Sequence, residues 1–270
     1  MCMGTSMERE QWAIFLAAIC GQTYTQFTNT DGSFVLPLNY SLYDTIEANS
    51  LISVSERFGF ILESPDEIII AFRGTSSTTN WISDAIASQK NFKYIKDSSL
   101  THRGFTNIYA SARGQIMSAL NQLPTHKTLF ITGHSLGGAL ATLCAVDVAA
   151  NTDHQSPYVF TYGSPRVGDP DFAKVFAKYV RSSCRIANLF DVVTHAPPHI
   201  YKMPKREKKF YYSHVHTQWP LTFQNGSVSG NHVIGSYYTE LAKLQPQFAE
   251  RLSSTNPEFC PVTESPLEKV

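Results

Sequence analysis

The chain has 270 residues, of which 43% are hydrophobic and 12% aromatic, which is enough to bury a full core and argues against disorder. Lys and Arg together number 22, as do Asp and Glu, and this zero net charge argues against a broadly basic nucleic-acid surface. No run of about 18 apolar residues occurs, so no membrane-spanning helix is predicted. A neutral or apolar ligand is favoured.

The N-terminal region contains one apolar segment, WAIFLAAIC, from Trp12 to Cys20. Its length is typical of signal peptides, but the preceding MERE mixes acid and base and no A-x-A cleavage site follows. The segment is therefore predicted to be a first amphipathic helix. Residues 1–6 are interpreted as a cloning remnant or an alternative start.

Apolar runs with strand and helix spacing alternate along the rest of the chain. The predicted elements, in order, are strands Phe58–Leu62 and Glu67–Phe72 joined by a turn at Ser64-Pro65-Asp66, helix Arg103–Leu123, strand Thr128–Ile131, helix Leu136–Ala150, strand Tyr158–Tyr162, helix Asp169–Val180, strand Arg185–Leu189 and a closing helix around Ile234–Leu244. Residues 196–231 are less regular. The alternation predicts an α/β fold with a central, mostly parallel sheet and helices on both faces, in a single domain over 1–270.

The five cysteines lie far apart, include no C-x-x-C pair and are odd in number. This spacing indicates neither a zinc site nor a disulfide framework. Free or buried thiols are predicted, and one bridge between Cys184 and Cys260 stays open as an alternative. No metal or cofactor is expected.

The heptapeptide TGHSLGG, Thr132 to Gly138, places Ser135 between a buried strand and a helix. The pattern G-x-S-x-G at such a step is typical of a nucleophile elbow. The alternative is that Ser135 caps the helix, a common role for serine. Gly137 and Gly138 argue against a plain cap, because each destabilises the first helical turn by about 1 kcal/mol relative to alanine.

A serine nucleophile needs a histidine base, and the base needs a carboxylate that orients it; in this fold class the chain order is Ser, acid, His. Asp191 ends an apolar strand and is the preferred acid, ahead of Asp169 and Asp171, which begin a helix. Five histidines follow Asp191: His195, His199, His214, His216 and His232. His232, in a glycine-containing turn before a helical run, is favoured on order and context, and the others stay open.

Several separate stretches occur in the order typical of one family. They are AFRGT at 71–75, HRGF at 102–105, GHSLGG at 133–138, YGSPRVG at 162–168, DVVTHAPP at 191–198 and the final Asn231-His232. In these stretches the chain resembles the class 3 triacylglycerol lipases of the filamentous-fungal type, which have the α/β-hydrolase fold. The resemblance implies that Ser135 is the nucleophile, Asp191 the acid and His232 the base.

The resemblance also implies how an oxyanion and a substrate would be held. The backbone N–H of Leu136, directly after the nucleophile, is one expected oxyanion donor, and Thr75 supplies the other. Trp81, Ile82, Ala85 and Ile86 share a helical face and resemble the family's lid helix.

The expected substrate is an acylglycerol ester at a lipid–water interface, hydrolysed without a cofactor by a monomer that binds no nucleic acid. The family resemblance favours secretion, although the sequence itself leaves the compartment open. Two enzymatic alternatives use the same triad, a feruloyl esterase and a phospholipase A1-type esterase. A non-catalytic lipid-binding relative is the alternative from another class. The basic run 202–209 is typical of a solvated loop and could also contact anionic head groups.

Overall fold

The computed structural model describes residues 7–50, 54–75, 87–203, 207–215 and 217–262. The helices are α1 Arg9–Thr28, α2 Arg103–Leu120, α3 Leu136–Asn151, α4 Pro170–Tyr179, α5 Ile234–Ala242 and α6 Pro246–Thr255, with a 3-10 helix at Val192–His195. The strands are β1 Ser41–Asn49, β2 Ser55–Glu63, β3 Glu67–Phe72, β4 Gln89–Asn91, β5 Leu100–His102, β6 Thr128–His134, β7 Tyr158–Tyr162, β8 Ser182–Asn188, β9 Ile200–Lys202, β10 Lys209–Tyr211 and β11 Gln218–Leu221.

Seven strands form one sheet in the order β1-β2-β3-β6-β7-β8-β11. The β1–β2 and β2–β3 pairs are antiparallel, and the four remaining pairs are parallel. Parallel neighbours require crossover connections: α2 lies in the connection from β3 to β6, α3 joins β6 to β7, and α4 joins β7 to β8. The predicted α/β class with a mostly parallel sheet is confirmed. That residues 1–270 form one domain stays a prediction.

Helices cover both faces of the sheet, as predicted. In β3 the side chains of Ile68 and Ile70 contribute to one apolar cluster, together with residues of α2, α3 and α4. Ile69 and Ala71 point to the other cluster, which contains α1, α5 and α6. Because successive strand residues face opposite sides, a continuous apolar run such as EIIIAF is what a sheet buried on both faces requires.

The prediction that α1 is amphipathic is wrong. Every residue from Trp12 to Tyr24 is buried, because the sheet lies against one side of α1 while α5, α6 and Phe259 lie against the other. Trp12 stacks on Phe130 of β6 with ring centroids 3.9 Å apart. The apolar segment is therefore a central core helix, whose hydrophobic surface has no solvent-facing side.

Several elements extend or add to the predicted ones. Strand β6 continues to His134, which brings it directly to Ser135, and β8 begins at Ser182. The structure adds β1 at one sheet edge, β11 at the other, and α6 after the expected last helix. The edge strand β11 lies inside the stretch 196–231, which the sequence indicated only as irregular.

Cys20, Cys144, Cys184 and Cys260 are free, so the alternative of a Cys184–Cys260 bridge is wrong. Within the described residues, no helix combines the length and apolar character needed to cross a bilayer.

Candidate active site

Ser135 is the single residue between the end of β6 and the start of α3. Its backbone has φ 58° and ψ −127°, a strained conformation for a residue with a side chain, costing about 1–3 kcal/mol. Ser135 does occupy the N-cap position of α3, but its side chain makes no capping hydrogen bond. The elbow therefore holds the serine in a conformation that capping does not explain.

Glycines allow three backbone segments to meet under this serine. A Cβ added at Gly133 would lie 2.2 Å from the Gly137 carbonyl oxygen, and one at Gly137 would lie 2.2 Å from the Phe72 carbonyl oxygen. Real Cβ atoms are not found this close to backbone oxygens. The close approach of β3, β6 and α3 thus requires the two glycines that argued against a plain cap.

Asp191 lies just after β8, at the carboxyl end of the sheet, and its carboxylate accepts three hydrogen bonds. Oδ1 accepts from the Val193 N–H at 2.9 Å, which starts the 3-10 helix. Oδ2 accepts from His232 Nδ1 and from the Tyr237 hydroxyl, each at 2.7 Å. Asp191 is fully buried, and these three donors replace the hydrogen bonds to water that its carboxylate loses on burial.

His232 lies in a turn between β11 and α5, and the turn is held by hydrogen bonds. Its own N–H donates to the Ser229 carbonyl at 2.8 Å. The Asn188 side-chain amide donates to the Asn231 carbonyl at 3.1 Å, and the Ser236 hydroxyl donates to the Gly230 carbonyl at 2.7 Å. The ring orientation is fixed by Nδ1, which is bonded to Asp191.

His134 connects this turn to the elbow and to α1. Its Nε2 lies 2.7 Å from the His232 carbonyl oxygen, and its Nδ1 lies 2.6 Å from the Tyr24 hydroxyl. Burial, reinforced by the neighbouring His232, holds the pKa of His134 well below its usual value. The neutral ring therefore donates from Nε2 to the carbonyl and accepts at Nδ1 from Tyr24.

Three buried polar atoms at this edge have no hydrogen-bond partner within the described chain: Ser135 Oγ, His232 Nε2 and Thr75 Oγ1. Ser135 Oγ and His232 Nε2 are thus not bonded to each other, and such contacts commonly tighten only when substrate is bound. Thr75 follows Gly74, where an added Cβ would lie 3.0 Å from Ser135 Cβ. The end of β3 therefore runs directly beside the serine.

Gly163 closes the site from the end of β7. It has φ 55°, and an added Cβ would lie 2.8 Å from Asp191 Oδ2 and 3.1 Å from His232 Cε1. A side chain here would displace the acid or the imidazole. The role of the YGSPRVG stretch at the site is therefore to place a glycine, Gly163, where no side chain fits.

Of the other candidate residues, Asp169 and His214 make structural hydrogen bonds, and some lie outside the described part of the chain. Asp169 caps α4 by accepting from the Phe172 N–H at 2.8 Å. His214 donates from Nε2 to the Thr194 carbonyl at 2.7 Å, and burial together with Arg185 lowers its pKa to about 3. The lid prediction for Trp81, Ile82, Ala85 and Ile86, and the candidate His216, lie outside the described residues.

Two contacts of the site were missed by sequence reasoning, the tyrosines Tyr24 and Tyr237. Both lie on helices among other apolar residues, so their hydroxyl partners have no sequence signal. Within the described residues, no group of three or more His, Cys, Asp and Glu side chains could hold a metal ion.

Comparison with known proteins adds an independent observation. Residues 69–201 match the family model described as Lipase (class 3). This segment, just under half of the chain, is similar to the class 3 lipases. This part of the chain contains the end of β3, the serine elbow, Gly163 and Asp191, whereas His232 lies beyond it.

The proteins to which the chain is similar include a lipase and a phospholipase A1. A lipase from Rhizomucor miehei is 35% identical over 143 residues, which are 50% of this chain and 39% of that protein. Phospholipase A1-II 1 from Oryza sativa subsp. indica is 33% identical over 177 residues, covering 53% and 45% respectively. The chain thus spans less than half the length of these curated relatives.

Among solved structures, lipase II from Rhizopus niveus superposes with a TM-score of 0.61 at 27% identity. The match covers 71% of this chain and 76% of that one. Together with the sheet order described above, this similarity confirms the α/β-hydrolase fold.

Proposed function

We propose that the chain is a serine carboxylic-ester hydrolase that acts on acylglycerol esters. The observation that carries the proposal is the buried Asp191–His232 hydrogen bond beside a serine held in a strained elbow. A carboxylate bonded to Nδ1 holds the imidazole in the tautomer whose Nε2 can accept a proton. The match of residues 69–201 to the class 3 lipase model supports the assignment of Ser135 and Asp191, which lie inside it.

The mechanism is a two-step acyl transfer to water. His232 Nε2 accepts the Ser135 proton while Oγ attacks the ester carbonyl, giving a tetrahedral oxyanion. Collapse of this intermediate breaks the ester C–O bond, and the departing alcohol takes the proton from His232. Water then attacks the acyl-enzyme, with His232 as base, and the carboxylic acid leaves as Ser135 is restored.

The proposed oxyanion donors are the backbone N–H groups of Leu136 and Thr75, the latter aided by its hydroxyl. Leu136 is the first residue of α3, and the first N–H groups of a helix have no partner within the helix. Thr75 Oγ1 is buried without a hydrogen-bond partner among the described residues, which is costly unless a ligand oxygen uses it. Donors fixed in advance typically contribute about 3–4 kcal/mol each to such a transition state.

The direct test is covalent labelling. A serine-directed phosphonate is expected to add one phosphonyl group to the wild-type chain, and peptide mass spectrometry should place it on Ser135. Ser135→Ala should lose labelling and at least about a thousandfold in esterase activity. Hydrolysis by the wild type with no labelling, or full activity of Ser135→Ala, would reject the assignment.

A phospholipase A1-type activity is the second candidate, supported by the phospholipase relative reported above. Initial rates on triacylglycerols, phospholipids and a feruloyl ester, each presented as an emulsion and below its solubility limit, separate these substrate classes. We expect triacylglycerols to be hydrolysed fastest. A higher rate on phospholipids would favour the second candidate, and a non-catalytic lipid binder would hydrolyse none of them.

The lid, the monomeric state, secretion and the absence of a nucleic-acid partner stay predictions. For the lid, Trp81→Ala is expected to lower activity on emulsions more than on dissolved short esters. Equal activities of wild type and variant on both substrates would contradict that role.

A further inference from the structure

The hairpin β9–β10 has one face that combines two lysines with two large apolar side chains. In its register Lys209 is opposite Lys202, and Tyr211 is opposite Ile200. Because alternate strand residues point to the same side, these four side chains share one face. We call this the hairpin face.

The opposite side of the hairpin is packed, which fixes the direction in which the hairpin face points. Phe210 is buried in a small apolar cluster with Ala87 and Tyr212. The Tyr212 hydroxyl donates to the Ala87 carbonyl at 3.1 Å, and the Gln89 side chain donates to the Tyr211 carbonyl at 2.6 Å. The hairpin face is therefore turned to solvent, where Ile200 is 58% and Tyr211 52% exposed.

Folding alone does not favour this arrangement of charges. Like charges directly opposite in an antiparallel pair are destabilising. Neither Lys202 nor Lys209 has a carboxylate within ion-pair distance in the described chain, although Glu207 lies exposed nearby. The chain as a whole has zero net charge, so the excess of lysine on the hairpin face is local and does not reflect a basic protein.

The hairpin face is connected to the edge of the sheet that carries the active site. The Arg166 guanidinium lies 3.0 Å from Nε2 of His199, which directly precedes β9. Arg166 itself lies three residues after Gly163, whose added Cβ would meet Asp191 and His232. The lysines and apolar side chains of the hairpin face thus lie on a hairpin that is held, through His199 and Arg166, to the loop after Gly163.

We propose that the hairpin face binds an anionic lipid–water interface and holds the active site against it. Lysines near an anionic bilayer each strengthen association about fivefold, and tyrosine and isoleucine favour the boundary below the head groups. Neither a purely charged nor a purely apolar face would match such a boundary as well. The binding step stands on the hairpin geometry, and its purpose, bringing an ester to Ser135, rests on the proposed function.

The experiment is vesicle co-sedimentation of the full chain carrying Ser135→Ala, so that the lipid is not consumed. The vesicles are phosphatidylcholine alone or phosphatidylcholine with a quarter phosphatidylglycerol. Binding should be clear only with phosphatidylglycerol and should fall as sodium chloride is raised. Adding Lys202→Gln and Lys209→Gln should lower the partition coefficient roughly 25-fold, about fivefold for each lysine.

The matched control replaces two other exposed lysines, Lys174→Gln and Lys243→Gln, which form ion pairs with Asp171 and Glu240. It removes the same net charge and should lower binding less than twofold. Equal losses in the two double variants would show that net charge, not the hairpin face, drives binding, and would overturn the proposal. Unchanged thermal midpoints establish that both variants are folded.

A second variant tests the apolar half of the face. Ile200→Ser with Tyr211→Ser should lower the partition coefficient on the phosphatidylglycerol vesicles at low salt, because the apolar contact below the head groups is lost, and an unchanged coefficient would contradict the proposed contact. Displacement by inorganic phosphate at constant ionic strength would mean that the lysines take up a free anion, not a membrane. Because vesicle binding is measured without Ser135, failure of phosphonate labelling and failure of this proposal are separate results.

Discussion

The serine elbow and the histidine turn hold their functional side chains by opposite means. At the elbow, Gly133 and Gly137 leave out side chains so that three backbone segments can touch. At the turn before α5, backbone carbonyls are held by the side chains of Asn188 and Ser236. The elbow therefore depends on the absence of side chains at two glycines, and the histidine turn depends on particular side-chain hydrogen bonds.

This contrast teaches where each region should tolerate change. A Cβ added 2–3 Å from backbone atoms, as at Gly133 or Gly137, cannot be accommodated without moving a strand or a helix, because packed interiors do not deform gradually. Single hydrogen bonds contribute about 1 kcal/mol each, and neighbouring bonds can keep a turn in place when one is lost. We expect all-or-none effects at the elbow and graded effects around His232.

The largest effect is expected from Gly137→Ala. The new Cβ would overlap the Phe72 carbonyl, so the free energy of unfolding should fall by about 3 kcal/mol and activity should be lost. Urea unfolding gives the stability. The matched control is Gly114→Ala on α2, where an added Cβ meets nothing within 4 Å and should stabilise by about 0.5–1 kcal/mol. Similar stabilities of the two variants would contradict the role given to backbone contact.

A middle-sized effect is expected from Tyr237→Phe. It removes one of the three donors to Asp191, which should cost about 2 kcal/mol of stability and reduce kcat roughly tenfold with little change in KM. Tyr109→Phe is the control, since the Tyr109 hydroxyl makes an equivalent buried 2.7 Å hydrogen bond to Asp147, outside the site. If the control lost as much kcat as Tyr237→Phe, the loss would reflect stability alone.

The smallest effect is expected from Ser236→Ala. The hydroxyl donates to the Gly230 carbonyl and accepts from the Asn225 side chain at 2.6 Å, so about 1 kcal/mol of local stability should be lost. Amide hydrogen exchange should speed up in residues 225–232 and stay unchanged in α3. Uniform acceleration across both segments would mean that the turn is no less stable than the elbow.

The sequence predicted correctly those elements whose structure is determined by residues close together in the chain. The apolar runs of β3, β6 and β7 predicted a sheet buried on both faces, and the strand–serine–helix step located the elbow. The turn Ser64-Pro65-Asp66 correctly joined two antiparallel neighbours. Each of these signals lies within about ten residues of chain.

It failed where the determining contact is distant. Strand β11 is fixed by pairing with β8, and its own sequence, QWPL, carries proline and little apolar alternation. Helix α1 looked amphipathic because its second covering layer comes from α5 and α6, more than 200 residues later in the chain. Before the family resemblance, His232 was favoured over four other histidines only by chain order and its turn context, because its distinguishing contact is with Asp191, 41 residues away.

His134 links the first helix of the chain to the turn near its end, and this link bears on when the site is completed during folding. One ring joins α1, through Tyr24, to the carbonyl of His232, so the N-terminal helix and the C-terminal turn meet on the residue that precedes the nucleophile. A chain emerging from the ribosome completes the elbow long before residue 232 is made. Hydrolytic competence is thereby tied to complete folding, since an incomplete chain presents the serine without an oriented base.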